Sequence, residues 1–487
     1  MSRRILGPFN RVEGDLEVSL EVEDGRVSAA WVNSPMYRGF EQMLRGKAPG
    51  DALVMVPRIC GICSVSQSVA AAAALADASG AVAPPNGARA VNLLLATENL
   101  ADHFTHFYLF FMPDFARDAY GGAAWHAGIA ERFRAIKGTA AASALPARAR
   151  FLQIMGLLAG KWPHTLSIQA GGSARAVSVT ERIRLLSLIR EFRSWLETHL
   201  FGDALEAVAS IADTDMLMAW AGGGRVAQSD LGRFLMLSQA LGLDKLGRAE
   251  GVTRYLSHGN YPDDKRRLFA RGVWDAVGGR LDPMQADDVA EDVSHAWLAD
   301  TDTRLAPFEG QTNPDADKAG GYSWCKAPRW RGEVVQCGAL ARQVVDGHPL
   351  ARDMVTRSGG NVMSRVVARL LEIARVVPAM EAWAREIVPG EPFHVQAPLP
   401  AEGRGVGLVE AARGALGHWL VIRKGRIHNY QIIAPTTWNF SPRDSGGVPG
   451  ALEQALVGTA VDEGGGMPLA VQHVVRSFDP CMVCTVH

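Results

Sequence analysis

The chain has 487 residues, with 50 Lys and Arg against 51 Asp and Glu, a formal net charge of -1. Its 48% apolar and 21% charged content is that of an ordinary folded protein, which excludes an acidic disordered chain and a nucleic-acid binder working through bulk charge. Six cysteines are too few for a secreted disulfide scaffold, and a chain this long buries a large core without such staples.

The elements follow in chain order. Residues 16–32 predict a hairpin: LEVSLEVE alternates apolar and polar residues, Asp24-Gly25 turns, and RVSAAWV returns. The Ala run near 70–76 reads as helix. VNLLLATENLADHFTHFYLFF (91–111) has no Gly or Pro and spans about five turns. ERIRLLSLIREFRSWLETHLF (181–201) and VMSRVVARLLEIARVV (362–377) repeat apolar residues every three or four positions. Residues 250–320 mix charge clusters, Pro and Gly and read as a surface excursion. A second β-rich stretch, 405–434, has three apolar runs separated by Arg413-Gly414 and Lys424-Gly425. The expected fold is α+β: a mainly helical core with long central helices, β-rich flanks at 1–35 and 400–440, and one unit over 1–487. MSRRILGPFN lacks the apolar run of a signal. Val69 to Ala83 is broken by Asp77 and Gly80, short of the ~20 apolar residues of a membrane span. A cytoplasmic location without membrane insertion is expected, although a signal could sit on a partner chain.

Four of the six cysteines form two Cys-x-x-Cys pairs, Cys60/Cys63 in RICGIC and Cys481/Cys484 in DPCMVC, with His487 as the last residue. Two intervening residues let both sulfurs face one metal, and thiolates suit soft or borderline metals. Zinc ribbons separate their pairs by ~15–20 residues, whereas more than 400 intervene here. Structural zinc, a thiol redox pair and a redox-active metal all remain open on spacing alone. Chain ends normally fray, so ligands at a terminus imply that it is buried and pinned. Cys325 and Cys337 read as buried small apolar residues.

RICGIC and DPCMVCTVH resemble the two nickel-binding signatures of the nickel–iron hydrogenase large subunit. Further matches come in the family's order: RVEG (11–14), YRGFE (37–41), KWPH (161–164), YSWCKAPRW (322–330), EAARG (410–414) and NYQIIAPTTWN (429–439). They cover almost the whole chain. Related complex I subunits lack the four cysteines and do not fit. The resemblance implies a Ni-Fe centre with carbon monoxide and cyanide on iron, Cys60 and Cys481 terminal on nickel, and Cys63 and Cys484 bridging. It implies Cys481 as first base, Glu13 as the next proton acceptor, and Arg413 over the open metal position, held by Asp102 and Asp479. A magnesium site would use Glu41, His487 and the main-chain carbonyl of Ile432. His103, His106 and His164 read as core or supporting groups.

The sequence departs from the family pattern at Gln67, where a His is common, and at Asp15 for His, and Ala412 and Ala170 for Pro. A Gln donates a hydrogen bond but does not titrate. Gln67 resembles the regulatory, hydrogen-sensing branch. So does a chain that stops at His487, where family precursors commonly carry a removable tail. The expectations are therefore a hydrogen-sensing enzyme feeding a histidine kinase, with an energy-conserving uptake hydrogenase as alternative and a structural zinc protein as the remote one. With Cys325 and Cys337 read as core, no cysteines remain for iron–sulfur clusters. An Fe-S small subunit is thus expected, as a heterodimer that can pair into a dimer of heterodimers, together with maturation proteins for nickel insertion and no nucleic acid.

Overall fold

A computed structural model describes residues 2–263, 266–461 and 466–487. It is α+β, 46% helical and 19% strand, with long helices in the centre and antiparallel sheets at both ends of the sequence.

The N-terminal sheet contains the expected hairpin, β2 (Glu17–Glu23) and β3 (Arg26–Asn33). Asp24 and Gly25 turn with φ of 49° and 69°, the left-handed pair that a two-residue hairpin needs. A third strand, β1 (Ser2–Leu6), pairs with β2. Its basic residues had hidden it, because an edge strand tolerates charge.

Helix α1 (Ser64–Ser79) contains the Ala run, and α2 (Pro85–Thr105) follows. The expected helix 91–111 therefore starts earlier, at a proline suited to the first turn, and its last six residues, His106–Phe111, widen into a π-helical turn. Helix α3 (Val179–Trp195) begins at a capping box in which Ser178 and Glu181 bond each other's backbone. Of the stretch 250–320, residues 264 and 265 lie outside the described residues. The rest corrects the expected surface excursion in part. Strand β4 (Arg254–Asp263) is buried over most of its length, paired with β5 (Arg266–Asp275), which pairs in turn with β6 (Arg280–Asp282). Its apolar and small residues face the core, and the charges sit on the neighbouring strand. Helix α4 (Val362–Glu386) outruns the expected 362–377, because Met380, Trp383 and Ala384 continue the buried stripe.

The C-terminal sheet is a meander, β7 (Gly403–Ala411), β8 (Gly414–Arg423) and β9 (Arg426–Ile433), as the three apolar runs predict. Two glycines bring it onto α1. A Cβ at Gly405 would stand 2.1 Å from the Ala74 carbonyl oxygen, and one at Gly407 2.0 Å from that of Ala70. The Ala run and these glycines therefore serve one purpose, a helix lying directly on strand backbone. Cys63 stands at the start of that helix and Arg413 in the β7–β8 turn, so this contact sets their relative positions.

That turn is also braced from beneath. Arg342, fully buried, pairs with Glu372 and Glu410 and donates to the carbonyls of Ala411 and Ala412. Removing one partner of such a buried pair costs ~3–5 kcal/mol. The chain ends in α5 (Leu469–Phe478) and the single turn α6 (Met482–Thr485). Buried Asp114 ties α5 to the N-terminal loop through Arg476, Arg117 and Arg11. Against the penalty of burial, His473, Arg476 and Arg11 hold its carboxyl well below the usual range. None of the described helices is long and apolar enough to cross a membrane.

Candidate metal centre

Cys60 follows the turn Val56–Ile59, and Cys63 is the residue that precedes α1. Cys481 precedes α6 and Cys484 lies within it, a turn reached after Asp479 reverses the chain at φ 58°. The four sulfurs, all buried, lie within 4.8 Å of one another. Cys60 and Cys481 are 3.5 Å apart, Cys63 and Cys484 2.9 Å, and Cys481 and Cys484 3.0 Å. No other group of three or more potential His, Cys, Asp or Glu ligands occurs among the described residues. Cys325 and Cys337 are buried elsewhere, their thiols on the carbonyls of Lys326 and Pro435.

Electrostatics make the cluster one that asks for a cation. Hydrogen bonds from the other three cysteines, Cys481 first, pull the Cys60 thiol down. Burial pushes those of Cys481 and Cys484 up. Four thiolates this close in a dry site need positive charge between them. The donor set, four soft sulfurs with no hard oxygen ligand, fits a nickel–iron pair.

Backbone pairing joins the second signature to RVEG. Glu13 forms a parallel bridge with Cys481, and Met482 N–H donates to the Glu13 carbonyl at 2.7 Å. The Glu13 side chain is half-buried, and burial, then the charge at Cys60, raises its pKa. Arg413 is fully enclosed. Its Nε donates to the Asp479 carbonyl at 2.9 Å, its Nη1 lies 2.9 Å from Asp102 Oδ2, and its Nη2 lies 3.2 Å from Asp479 Oδ1. The two acids part company. Burial lifts Asp102 to about 7 despite Arg413, while Arg413, aided by His106 and Arg369, overcomes burial to hold Asp479 below its ordinary value. The Asp479 carbonyl that Arg413 bonds stands two residues before Cys481, so the guanidinium is anchored to the second signature.

The terminus is pinned. His487 Nε2 lies 3.2 Å from Glu41 Oε1, and its Nδ1 lies 2.8 Å from the Cys484 carbonyl. Glu41 also receives Lys326 at 3.1 Å, the Thr312 hydroxyl and the Ile432 amide. Burial opposes its ionisation, but Lys326 and His487 bring its pKa to about 2. Ile432 thus offers its N–H to Glu41 in addition to the expected carbonyl role. The Glu41 carboxylate is the kind of hard oxygen that a magnesium keeping most of its waters takes. His487→Ala is expected to free the last turn and lower nickel retention by ~10–100-fold, the usual effect of losing a group that orients ligands. Metal analysis after exposure to a chelator checks this, and unchanged retention would remove the pinning role.

Gln67 is buried one helical turn after Cys63. Its Oε1 lies 2.8 Å from His418 Nε2, and His418 Nδ1 lies 2.8 Å from the Tyr430 hydroxyl. Burial keeps His418 neutral, with its pKa at about 3. Ala412 contributes its carbonyl to Arg342. His103 lies 3.3 Å from Glu372, His106 2.7 Å from the Arg476 carbonyl and His164 2.9 Å from the Pro57 carbonyl.

Sequence reasoning missed three groups here. His418 was visible as one imidazole in an apolar strand. Arg38, in the quoted YRGFE, bonds the carbonyls of Arg58, Ile59 and Val483, the last at 3.3 Å, and so clasps both cysteine segments. Glu98 carried no signal beyond an acid inside an apolar helix.

A family model described as nickel-dependent hydrogenase matches residues 38–119 and 141–487. The chain is 28% identical to the Hydrogenase-2 large chain of Escherichia coli K12, over 100% of this chain and 97% of that one. It is also 28% identical to the periplasmic [NiFeSe] hydrogenase large subunit of Desulfomicrobium baculatum (99% and 94%) and to the uptake hydrogenase large subunit of Azotobacter chroococcum (100% and 95%). The reduced Ni-Fe-Se hydrogenase of D. vulgaris Hildenborough superposes with a TM-score of 0.85 at 29% identity, covering 100% of both chains.

Proposed function

From the premise that this chain belongs to the nickel-dependent hydrogenase family and is the large, catalytic subunit of a hydrogen oxidoreductase, we propose that it splits hydrogen heterolytically at the four-cysteine site and serves as a hydrogen sensor. The observation that carries the chemistry is four buried thiols within 4.8 Å of one another, beside a guanidinium locked by two carboxylates.

Cys60 and Cys481 would hold nickel, and Cys63 and Cys484 would share it with an iron bearing carbon monoxide and cyanide. That pair of metals would supply the electron-pair acceptor that thiolates alone lack. The rest falls to the chain. Cys481 Sγ takes the proton released on splitting. Glu13, whose backbone pairs with Cys481, receives it next, and burial, which raises its pKa, favours its holding the proton. Arg413 keeps a fixed positive charge over the substrate, Asp479 stays ionised to hold it, and Asp102 shares that load. Burial of the cysteines excludes bulk water from the proton-accepting sulfur.

Electrons leave through a partner, because Cys325 and Cys337 stand apart from the site. We assign that partner as an Fe-S small subunit in a heterodimer, able to pair into a dimer of heterodimers. Nickel insertion would use maturation proteins. Magnesium would sit between Glu41, His487 and the Ile432 carbonyl. We read the complex as cytoplasmic and signalling to a histidine kinase.

Support for sensing is Gln67, an amide held by a neutral His418 where the family commonly has a titratable group. Uptake metabolism is the second reading, favoured by the names of several relatives. The test is an infrared spectrum of the anaerobic heterodimer before and after hydrogen, followed by turnover with an artificial acceptor. Carbon monoxide and cyanide bands that shift under hydrogen are expected, with turnover well below the ~10 s⁻¹ typical of enzymes. High turnover would assign the chain to uptake metabolism. Absence of bands in zinc-loaded protein would overturn the site chemistry.

A further inference from the structure

Helix α1 starts directly after a residue whose side chain the metal site claims. A helix N-terminus leaves its first N–H groups without partners inside the helix, and the preceding residue commonly caps them. In α1 that residue is Cys63, and its side chain makes no capping bond. A sulfur engaged with metal is unavailable for one.

The cap arrives instead from α2. Glu98, 2% exposed, accepts the Val65 N–H at 2.8 Å on Oε2 and the Ser66 N–H at 2.8 Å on Oε1. The Ser66 hydroxyl adds 2.8 Å on Oε1, and the Ser64 hydroxyl lies 3.5 Å from Oε2. Trp162 Nε1 completes the shell at 3.0 Å on Oε2. Burial lifts the Glu98 pKa to about 7, while the bonds from Val65, Ser66 and Trp162 favour its negative form, as does the helix dipole at this end of a helix.

The same carboxylate thus joins three segments. Trp162 belongs to the loop at residues 161–164, whose His164 bonds the Pro57 carbonyl before Cys60 and approaches Ser64 after Cys63. On α2, Glu98 and Asp102 are four residues apart and share a face. One rigid helix therefore carries both the cap of α1 and a carboxylate that holds Arg413.

We propose that Glu98 is a positioning residue for Cys63, supplying from a second helix the cap that Cys63 forgoes as a metal ligand and thereby fixing its sulfur relative to Arg413. This rests on the metal-site reading above, so the test separates the two. In the purified heterodimer, Glu98→Gln and Glu98→Ala are compared with Asn361→Ala. Asn361 caps α4 by accepting the Ser364 N–H and has no part in the site. Three readouts are taken: amide exchange at Val65 and Ser66, nickel retained after chelator, and carbon monoxide and cyanide band positions.

Both Glu98 variants are expected to exchange faster at those two amides, lose nickel ~10-fold or more readily and show shifted bands. Asn361→Ala is expected to lower the melting midpoint with bands and nickel unchanged. Glu98 variants that melt earlier but keep wild-type bands and retention would overturn the proposal, since their role would then be structural only. If Glu98→Ala fails to fold, the isosteric Glu98→Gln decides, because it keeps the shape while turning an N–H toward the helix amides. Wild-type protein without nickel or bands would overturn the metal reading alone. The cap would still be judged by amide exchange, and unchanged exchange in Glu98→Gln would overturn it.

Discussion

Replacing Cys484 by alanine is expected to remove nickel and hydrogen cleavage together while the chain stays folded. Cys484 is 2% exposed, with its sulfur 2.9 Å from that of Cys63 and 3.0 Å from that of Cys481. It is therefore central to the cluster rather than a rim ligand. Losing a group that merely orients ligands lowers affinity or activity ~10–100-fold, so losing a bridging ligand is expected to exceed that range. The fold bears the change more easily. A single side-chain truncation costs ~0.5–3 kcal/mol, and His487, Arg38 and the Glu13 bridge still hold the terminal turn. Metal analysis, a hydrogen-dependent assay and a melting curve check the three parts. Full nickel with substantial activity would show that the ligand set is wrong.

Arg413→Lys is expected to keep nickel but lower turnover by ~10²–10³, the effect of removing one preorganised charge donor from a dry site. The guanidinium reaches Asp102, Asp479 and the Asp479 carbonyl at once. An ammonium is a point charge without that planar fork, so it satisfies one partner and leaves another buried acid unpaired. The cost is more than positional. Arg413 is what draws Asp479 down and restrains Asp102 at about 7. With the fork gone both acids are expected to take up protons more readily, so the remaining activity should depend on pH differently from wild type. The checks are nickel content, turnover against pH and the infrared bands. Activity close to wild type with an unchanged pH profile would overturn the role given to Arg413.

Much of this was readable from the residues. The hairpin at 16–32 and the meander at 405–434 announce themselves through alternation and turn dipeptides, both local properties. The long helices show their apolar period in the same way, and their true ends differ only where caps or continued burial decide. Charged strands were harder. β1 and β4 sit among basic residues, and composition alone cannot separate a solvated charge from one standing beside a buried strand.

The site divides along the same line. Two residues between cysteines, at both ends of the chain, specify a four-sulfur site, because ligand spacing is written into adjacent positions. Resemblance then supplied Glu13, Glu41, Asp102, Arg413, Asp479 and His487, and the fold brings Asp102 and Asp479 onto Arg413 and Glu41 onto His487. Glu98, Arg38 and the Gln67–His418–Tyr430 chain were out of reach. Each bonds a group 12 to 445 positions away, and nothing local to the residue names that partner. What the residues alone determined was two pairs of thiol ligands suited to soft or borderline metals, since donor atoms and their spacing are local chemistry. What only the tertiary structure decided was how the cysteines are held still. The acceptors that cap Cys63, clasp Arg413 and pin His487 are recruited across the fold, where burial leaves polar groups no partner but one another.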